Sequence, residues 1–216
     1  MLTFPSQEST FLFPGPAGNI EVLTTVPEKN PPRASIIICH PHPLYGGTMH
    51  NKVVSTLARA FNNLGLRTVR FNFRGVGKTE GIHDEGKGEA ADVIVLANWL
   101  RTLFPNDELW LAGFSFGGFV AASAATQYPV AQLISVAPQA SRFLSPPLTP
   151  VTCPWLIIQG EEDEVVSPQE LYTWLETVQP QPQLIRFPGA GHFFHGQLIK
   201  LRETIERIFA ENSMSK

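Results

Sequence analysis

Charge is scarce in this chain. Asp, Glu, Lys and Arg make up 16% of its 216 residues, where globular chains average about 25%. The net charge is −3 and no basic stripe is visible. The cationic surface that a nucleic-acid partner needs is therefore missing. Long apolar runs are missing too. None approaches the ~20 residues that cross a bilayer. The opening Met-Leu-Thr-Phe-Pro-Ser-Gln-Glu lacks the basic-then-apolar order of a secretory leader. No membrane partner is expected, and the chain reads as cytoplasmic. Cysteine is limited to Cys39 and Cys153, too few for a disulfide framework. Cys39 lies in an apolar run and Cys153 just before one, so both read as reduced core residues in a reducing compartment. Repeats and proline-rich linkers are also absent, because the 19 prolines are spread among turns. What remains is 43% hydrophobic residues in a length suited to one domain, 1–216, with fully buried strands.

Those hydrophobic residues come in short runs separated by amphipathic stretches. Phe11 to Val26 reads as two short edge strands around a turn at Pro14 to Asn19. Residues 28–32 read as a loop, Ala34 to Cys39 as a buried strand, and His40 to Gly47 as a loop rich in rings and glycine. Asn51 to Leu64 carries Val54, Leu57, Ala58 and Phe61 at helical spacing, with Gly65 as its stop. Thr68 to Phe73 is the next strand, Arg74 to Gly88 a long glycine-rich loop, and Glu89 to Leu103 a helix. Later strands are Leu109 to Ala112, Leu133 to Ala137, Trp155 to Ile158 and Leu184 to Phe187. Later helices are Phe119 to Gln127, Pro168 to Val178 and Gly196 to Ala210. This alternation implies an α/β fold: a mostly parallel central sheet flanked by helices. In such sheets the site lies beyond the carboxyl ends of the strands.

The most informative stretch is Gly113-Phe114-Ser115-Phe116-Gly117-Gly118. It fits G-x-S-x-G between a strand and a helix, the context of a nucleophile elbow. Gly113 and Gly117 flank the serine where a Cβ would collide with a neighbouring strand or helix. A serine needs a base to take its proton, and the base needs an orienting acid. Strand ends supply both. After Ile158 comes Gln159-Gly160-Glu161-Glu162-Asp163-Glu164, and after Phe187 comes Pro188-Gly189-Ala190-Gly191-His192. The order Ser115, Asp163, His192 is that of α/β-hydrolases. Glu161, Glu162 and Glu164 read as a solvated acidic turn, and His195 as a residue that caps or lines the site.

These three motifs resemble those of the α/β-hydrolase superfamily. Pro41-His42-Pro43-Leu44-Tyr45-Gly46-Gly47 and Asn72-Phe73-Arg74-Gly75-Val76-Gly77 are similar to segments of a narrower group. That group consists of small capless bacterial serine hydrolases related to dienelactone hydrolases. The resemblance covers roughly residues 20 to 210. Ser115 stands where true dienelactone hydrolases carry cysteine, so their own reaction is not implied. Lys78-Thr79 is a minor departure. An oxyanion hole of two backbone N–H groups is also required. Phe116 should supply one. Pro41 and Pro43 have no N–H, which leaves His42, Leu44 and Tyr45 for the other. Leu44 is favoured, because His42-Pro43-Leu44 parallels the His-Gly-x of relatives. The side chains of His40 and His42 would then fix the loop.

The reading is thus a serine hydrolase that cleaves small-molecule esters or thioesters through an acyl-enzyme, with no cofactor and no metal. A peptidase or amidase of the same fold and a non-enzymatic binding protein remain as alternatives. Gly75-Val76-Gly77-Lys78-Thr79 imitates a phosphate-binding loop, but the full pattern requires glycine at position 72, which is Asn72. His40-x-His42 and His192-x-x-His195 offer metal ligands without completing a shell. No helical cap fits between Pro138 and Pro154, where prolines recur. The site should therefore be shallow, with Phe114, Phe116, Phe193 and Phe194 as a small apolar wall.

Overall fold

Each apolar run is too short and too uniformly buried for a surface element, so the runs pair edge to edge. A computed structural model shows the result. It describes the chain except residues 1, 29–31, 33, 145–147, 149 and 214–216. One eight-stranded sheet forms the centre, with strand order β1-β2-β4-β3-β5-β6-β7-β8. Its strands are β1 (Ser9–Gly15), β2 (Gly18–Thr25), β3 (Ala34–Cys39), β4 (Arg67–Phe71), β5 (Glu108–Phe114), β6 (Gln132–Val136), β7 (Trp155–Gly160) and β8 (Gln183–Phe187). The β1–β2 hairpin and the β2–β4 pair are antiparallel, and every pair from β4 through β8 is parallel.

Among the described residues five helices cover the two faces: α1 (Lys52–Asn63), α2 (Lys87–Leu103), α3 (Phe116–Ala125), α4 (Pro168–Leu175) and α5 (Leu198–Ser213). The alternation of side chains along a strand assigns the faces. Ile36 and Ile38 of β3 pack with Val54, Leu57 and Phe61 of α1 and with Leu201 and Ile205 of α5. Ile37 and Cys39 point the other way, into a second core with Val93 and Leu96 of α2, Val120 of α3 and Trp174 of α4. Asn51 starts α1 by accepting the Val53 and Val54 N–H groups at 2.9 and 3.4 Å.

The expected elements are present, with shifted ends: α4 stops at Leu175 rather than Val178, α5 runs Leu198–Ser213 rather than Gly196 to Ala210, and three further adjustments follow. The turn of the first hairpin tightens to Pro16 and Ala17, and of its two strands β1 alone lies at the sheet edge, because β2 pairs with β4 on its other side. Helix α2 begins at Lys87, two residues early, where the Glu89 carboxylate accepts the Gly86 N–H at 2.8 Å and nucleates the first turn. Helix α3 begins at Phe116, directly after the serine, rather than at Phe119. Between β6 and β7 the described residues form only a 3-10 turn at Ala140–Phe143, with no helical cap. Pro146 and Pro147, used in the expectation of no cap, lie outside the described residues. Cys39 and Cys153 are both free thiols, and burial pushes the Cys39 thiol far up. Among the described residues no helix is long and apolar enough to cross a membrane.

Candidate active site

Strand β5 enters the elbow between β3 and β6, and the close packing there dictates glycine. A Cβ on Gly113 would lie 2.0 Å from the Gly117 carbonyl oxygen, inside α3. A Cβ on Gly117 would lie 2.4 Å from the Cys39 carbonyl oxygen, at the end of β3. Between them Ser115 is forced to φ 56°, ψ −121°, a strained conformation that stands its side chain off the sheet. The Ser115 N–H donates to the Val136 carbonyl at 2.9 Å, which pins the elbow to β6. Ser115 is also the residue preceding α3, so the positive end of that helix lies beside its hydroxyl.

His192 and Asp163 converge on this serine from the ends of β8 and β7. His192 Nε2 lies 3.0 Å from Ser115 Oγ, and Nδ1 lies 2.8 Å from Asp163 Oδ2. A carboxylate can only accept, so Nδ1 carries the proton and Nε2 offers its lone pair to the serine hydroxyl. Gln159 Nε2 donates to the same Asp163 Oδ2 at 3.0 Å. The Val165 and Val166 N–H groups donate to Oδ1 at 2.9 and 2.8 Å. Burial works to raise the Asp163 carboxyl, but the His192 bond and those two backbone donors outweigh it and hold it below the usual carboxylate range. All three residues are less than a tenth exposed.

Glu161, Glu162 and Glu164 are all exposed, as expected of an acidic turn. Glu164 does more: its Oε2 accepts the His192 backbone N–H at 3.2 Å and helps to hold the loop that carries the histidine. The expected aromatic wall needs a correction. Phe114, Phe116 and Phe194 are fully buried, and of the four only Phe193 is exposed. Phe114 packs beneath the His192 ring with centroids 5.0 Å apart, and Phe194 packs on Phe187 in the core. They support the site rather than line it. His195 is exposed beside Phe193 and caps no helix, since α5 starts at Leu198.

The loop after β3 closes over the other side of the elbow. His40 is its anchor: Nδ1 donates to the Pro41 carbonyl at 2.6 Å, and Nε2 accepts the Phe73 N–H at 2.9 Å. This pattern requires a neutral ring, and burial lowers the His40 pKa from 6.5 to about 4. The consequence for stability has a definite sign. Between pH 6.5 and 4 the unfolded chain binds a proton at His40 that the folded chain does not. Stability is complete above that window and falls with pH inside it, by about 3 kcal/mol in all. Urea melts of wild type and His40→Gln at pH 7.5 and 4 should show the wild type's advantage shrinking by about that amount. A pH-independent difference would exclude this role.

Beyond His40, a 3-10 turn at Pro43–Tyr45 presents two backbone donors, Leu44 and Tyr45, and the first turn of α3 presents a third, Phe116. The Tyr45 N–H is used by the His42 carbonyl at 3.1 Å. The Leu44 N–H donates to His42 Nδ1 at a long 3.3 Å. The Phe116 N–H, at the first turn of α3, has no partner among the described residues. His42 in turn stacks on Phe116 and faces Arg142, whose Nη2 is 3.4 Å from His42 Nε2 and whose Nη1 donates to Glu85 at 3.0 Å. Neither Arg142 nor Glu85 was legible as part of this site, because a cation and an anion 57 residues apart leave no local pattern.

Metal ligands also group differently from the sequence pairs. His42, His83 and Glu85 present ligand atoms within 4.8 Å of one another, the one such group among the described residues. Arg142 already faces both His42 and Glu85, so a guanidinium occupies the cation's place. The loop that imitates a phosphate cradle is likewise filled. The Lys78 N–H donates to Glu21 at 2.9 Å, and the Thr79 hydroxyl donates to the Asn72 carbonyl at 2.8 Å. A carboxylate sits where an anion would bind.

The fold has relatives among known proteins. A family model described as alpha/beta hydrolase fold matches residues 35–150. The chain is similar to an alpha-beta serine hydrolase homologue from Coxiella burnetii, at 47% identity and a TM-score of 0.90 over 95% of this chain and 99% of that one. It is also similar to an α/β serine hydrolase without lid from Xanthomonas campestris, at 44% identity and a TM-score of 0.91 over 96% and 95% of the two chains. An uncharacterized protein of Rickettsia prowazekii is 35% identical over 84% of this chain and 80% of its own length. The chain belongs to the α/β-hydrolase fold family, whose serine hydrolases, lidless ones included, are its structural neighbours.

Proposed function

We propose that the protein is a serine carboxylesterase acting on small-molecule esters or thioesters. The observation that carries this reading is the unbroken hydrogen-bond line from Ser115 Oγ through His192 to Asp163. His192 Nε2 takes the serine proton as Oγ attacks the carbonyl carbon, and the charge that develops on the imidazole is balanced by Asp163. The carbonyl oxygen becomes an oxyanion that accepts the Phe116 and Leu44 N–H groups. Leu44 gives up its long bond to His42 Nδ1 for a charged acceptor, which is the stronger partner. His192 then protonates the leaving group. Water, deprotonated by the same ring, cleaves the acyl-enzyme and restores the serine. No step needs a cofactor.

The lidless rim supports small acyl groups. A buried methylene contributes about 0.8 kcal/mol, but only where a groove removes it from water. Phe193 alone of the four nearby phenylalanines is exposed to meet a chain. kcat/KM for p-nitrophenyl esters from two to sixteen carbons should peak at acetate to butyrate. A maximum at ten carbons or more would overturn the preference, and no turnover of any ester would overturn the esterase reading.

A further inference from the structure

Helices α1 and α5 pack side by side, and two depressions run along their seam. The first, about 220 Å³, is lined by Lys52, Phe193, His195 and Leu198 among others. The second, about 320 Å³, is lined by His50, Lys52, Ser55, Thr56, Arg59 and Arg202 among others. Lys52 and Leu198 border both, so the two form one groove. No carboxylate lines either part. Three cations and two imidazoles, those of His50 and His195, are thus gathered on a chain whose net charge is −3.

Of the three cations, only Arg202 is ion-paired among the described residues. Among the described residues neither Lys52 nor Arg59 has a carboxylate partner. Arg202 meets Glu206 and Glu203 only at 3.6 and 3.9 Å, and its buried Nε makes no hydrogen bond. Lys52 and Arg59 are seven residues apart on α1 and so lie about 10 Å apart on one face. Such an array suits an extended anion with more than one charge. The groove also has a direction. Its near end is Phe193, whose ring lies 5.0 Å from that of His192. In acyl transfer the histidine hands its proton to the leaving group, so the leaving group lies on the histidine's side of the serine.

We propose that this groove binds a phosphate-bearing leaving group, an alcohol or thiol whose phosphates rest on Lys52, Arg59 and Arg202. The assignment rests on the serine hydrolase reading above and names its substrate class. Ser115 Oγ bonds to the acyl carbon, the C–O or C–S bond breaks, and the departing oxygen or sulfur takes the His192 proton. One water per turnover then releases the acid.

The test compares two thioesters with the same reacting group, acetyl-coenzyme A and S-acetyl-N-acetylcysteamine, which lacks phosphates. Wild type should favour the first by about tenfold in kcat/KM, through KM, and the preference should fade as ionic strength rises. Lys52→Gln/Arg59→Gln, checked for an unchanged melting temperature, should bring the ratio toward one. Equal kcat/KM for the two thioesters in wild type overturns the proposal. A second arm needs no turnover. Adenosine 3′,5′-bisphosphate should bind Ser115→Ala in calorimetry and lose that binding when Lys52→Gln and Arg59→Gln are added. Absence of binding in the first protein overturns the groove. Binding without a thioester preference overturns its assignment to the leaving group. If p-nitrophenyl acetate and both thioesters go uncleaved while the nucleotide binds, the hydrolase reading fails and the groove stands.

Discussion

Replacing Ser115 by alanine should lower p-nitrophenyl acetate hydrolysis on the order of 10⁴-fold or more, with the fold intact. The loss is large because the oxygen removed is the atom that bonds to the acyl carbon. Nothing nearby can substitute for it: the elbow places one hydroxyl 3.0 Å from His192 Nε2. The fold should survive because alanine keeps the Cβ that already stands in the strained φ 56° conformation. The Ser115 N–H bond to Val136 belongs to the backbone and is unaffected. Labelling by a fluorophosphonate probe should vanish in the same variant. Residual activity within tenfold of wild type would mean that the reaction does not pass through this serine.

Asp163→Asn should cost about 10³- to 10⁴-fold in kcat. Four N–H donors converge on the Asp163 carboxylate: His192 and Gln159 on one oxygen, Val165 and Val166 on the other. An asparagine has one oxygen, which the two backbone donors can claim because they cannot move. Its NH2 group then faces His192 and drives the ring to the tautomer with the proton on Nε2. That nitrogen no longer accepts the serine proton. Glu162→Gln, one residue away and exposed, should change the rate little. If Glu162→Gln is the crippling change and Asp163→Asn is mild, the acid has been placed one residue too late.

The sequence carried the fold because its signals were local. Ile36-Ile37-Ile38 has no polar face and had to be a central strand, and Val54, Leu57 and Phe61 fall on one side of a helix. The three catalytic candidates were legible for a related reason. Each follows directly on an apolar strand, and parallel strands present their carboxyl ends at one edge. What stayed hidden depended on partners distant in the chain. The first turn of α3 has two glycines with poor helix propensity, and it forms because Gly117 fits against the carbonyls of Cys39 and His40. Glu164 is exposed like its neighbours, and its bond to the His192 loop, 28 residues on, leaves no local signal. Phe116 was taken for a substrate wall, but His42, Phe73 and Arg142 bury it.

The order of the sheet has a consequence for synthesis. From β3 onward, β4 adds to one side, and β5, β6, β7 and β8 then add to the other in the order in which the chain emerges. A nascent chain can therefore extend its sheet one strand at a time without threading. The elbow is secured when β6 arrives, Asp163 comes into place with β7, and His192 only after β8. A chain released before that last strand holds a serine hydroxyl with no partner to activate it. On the proposed mechanism, such a chain stays inert until the sheet is complete.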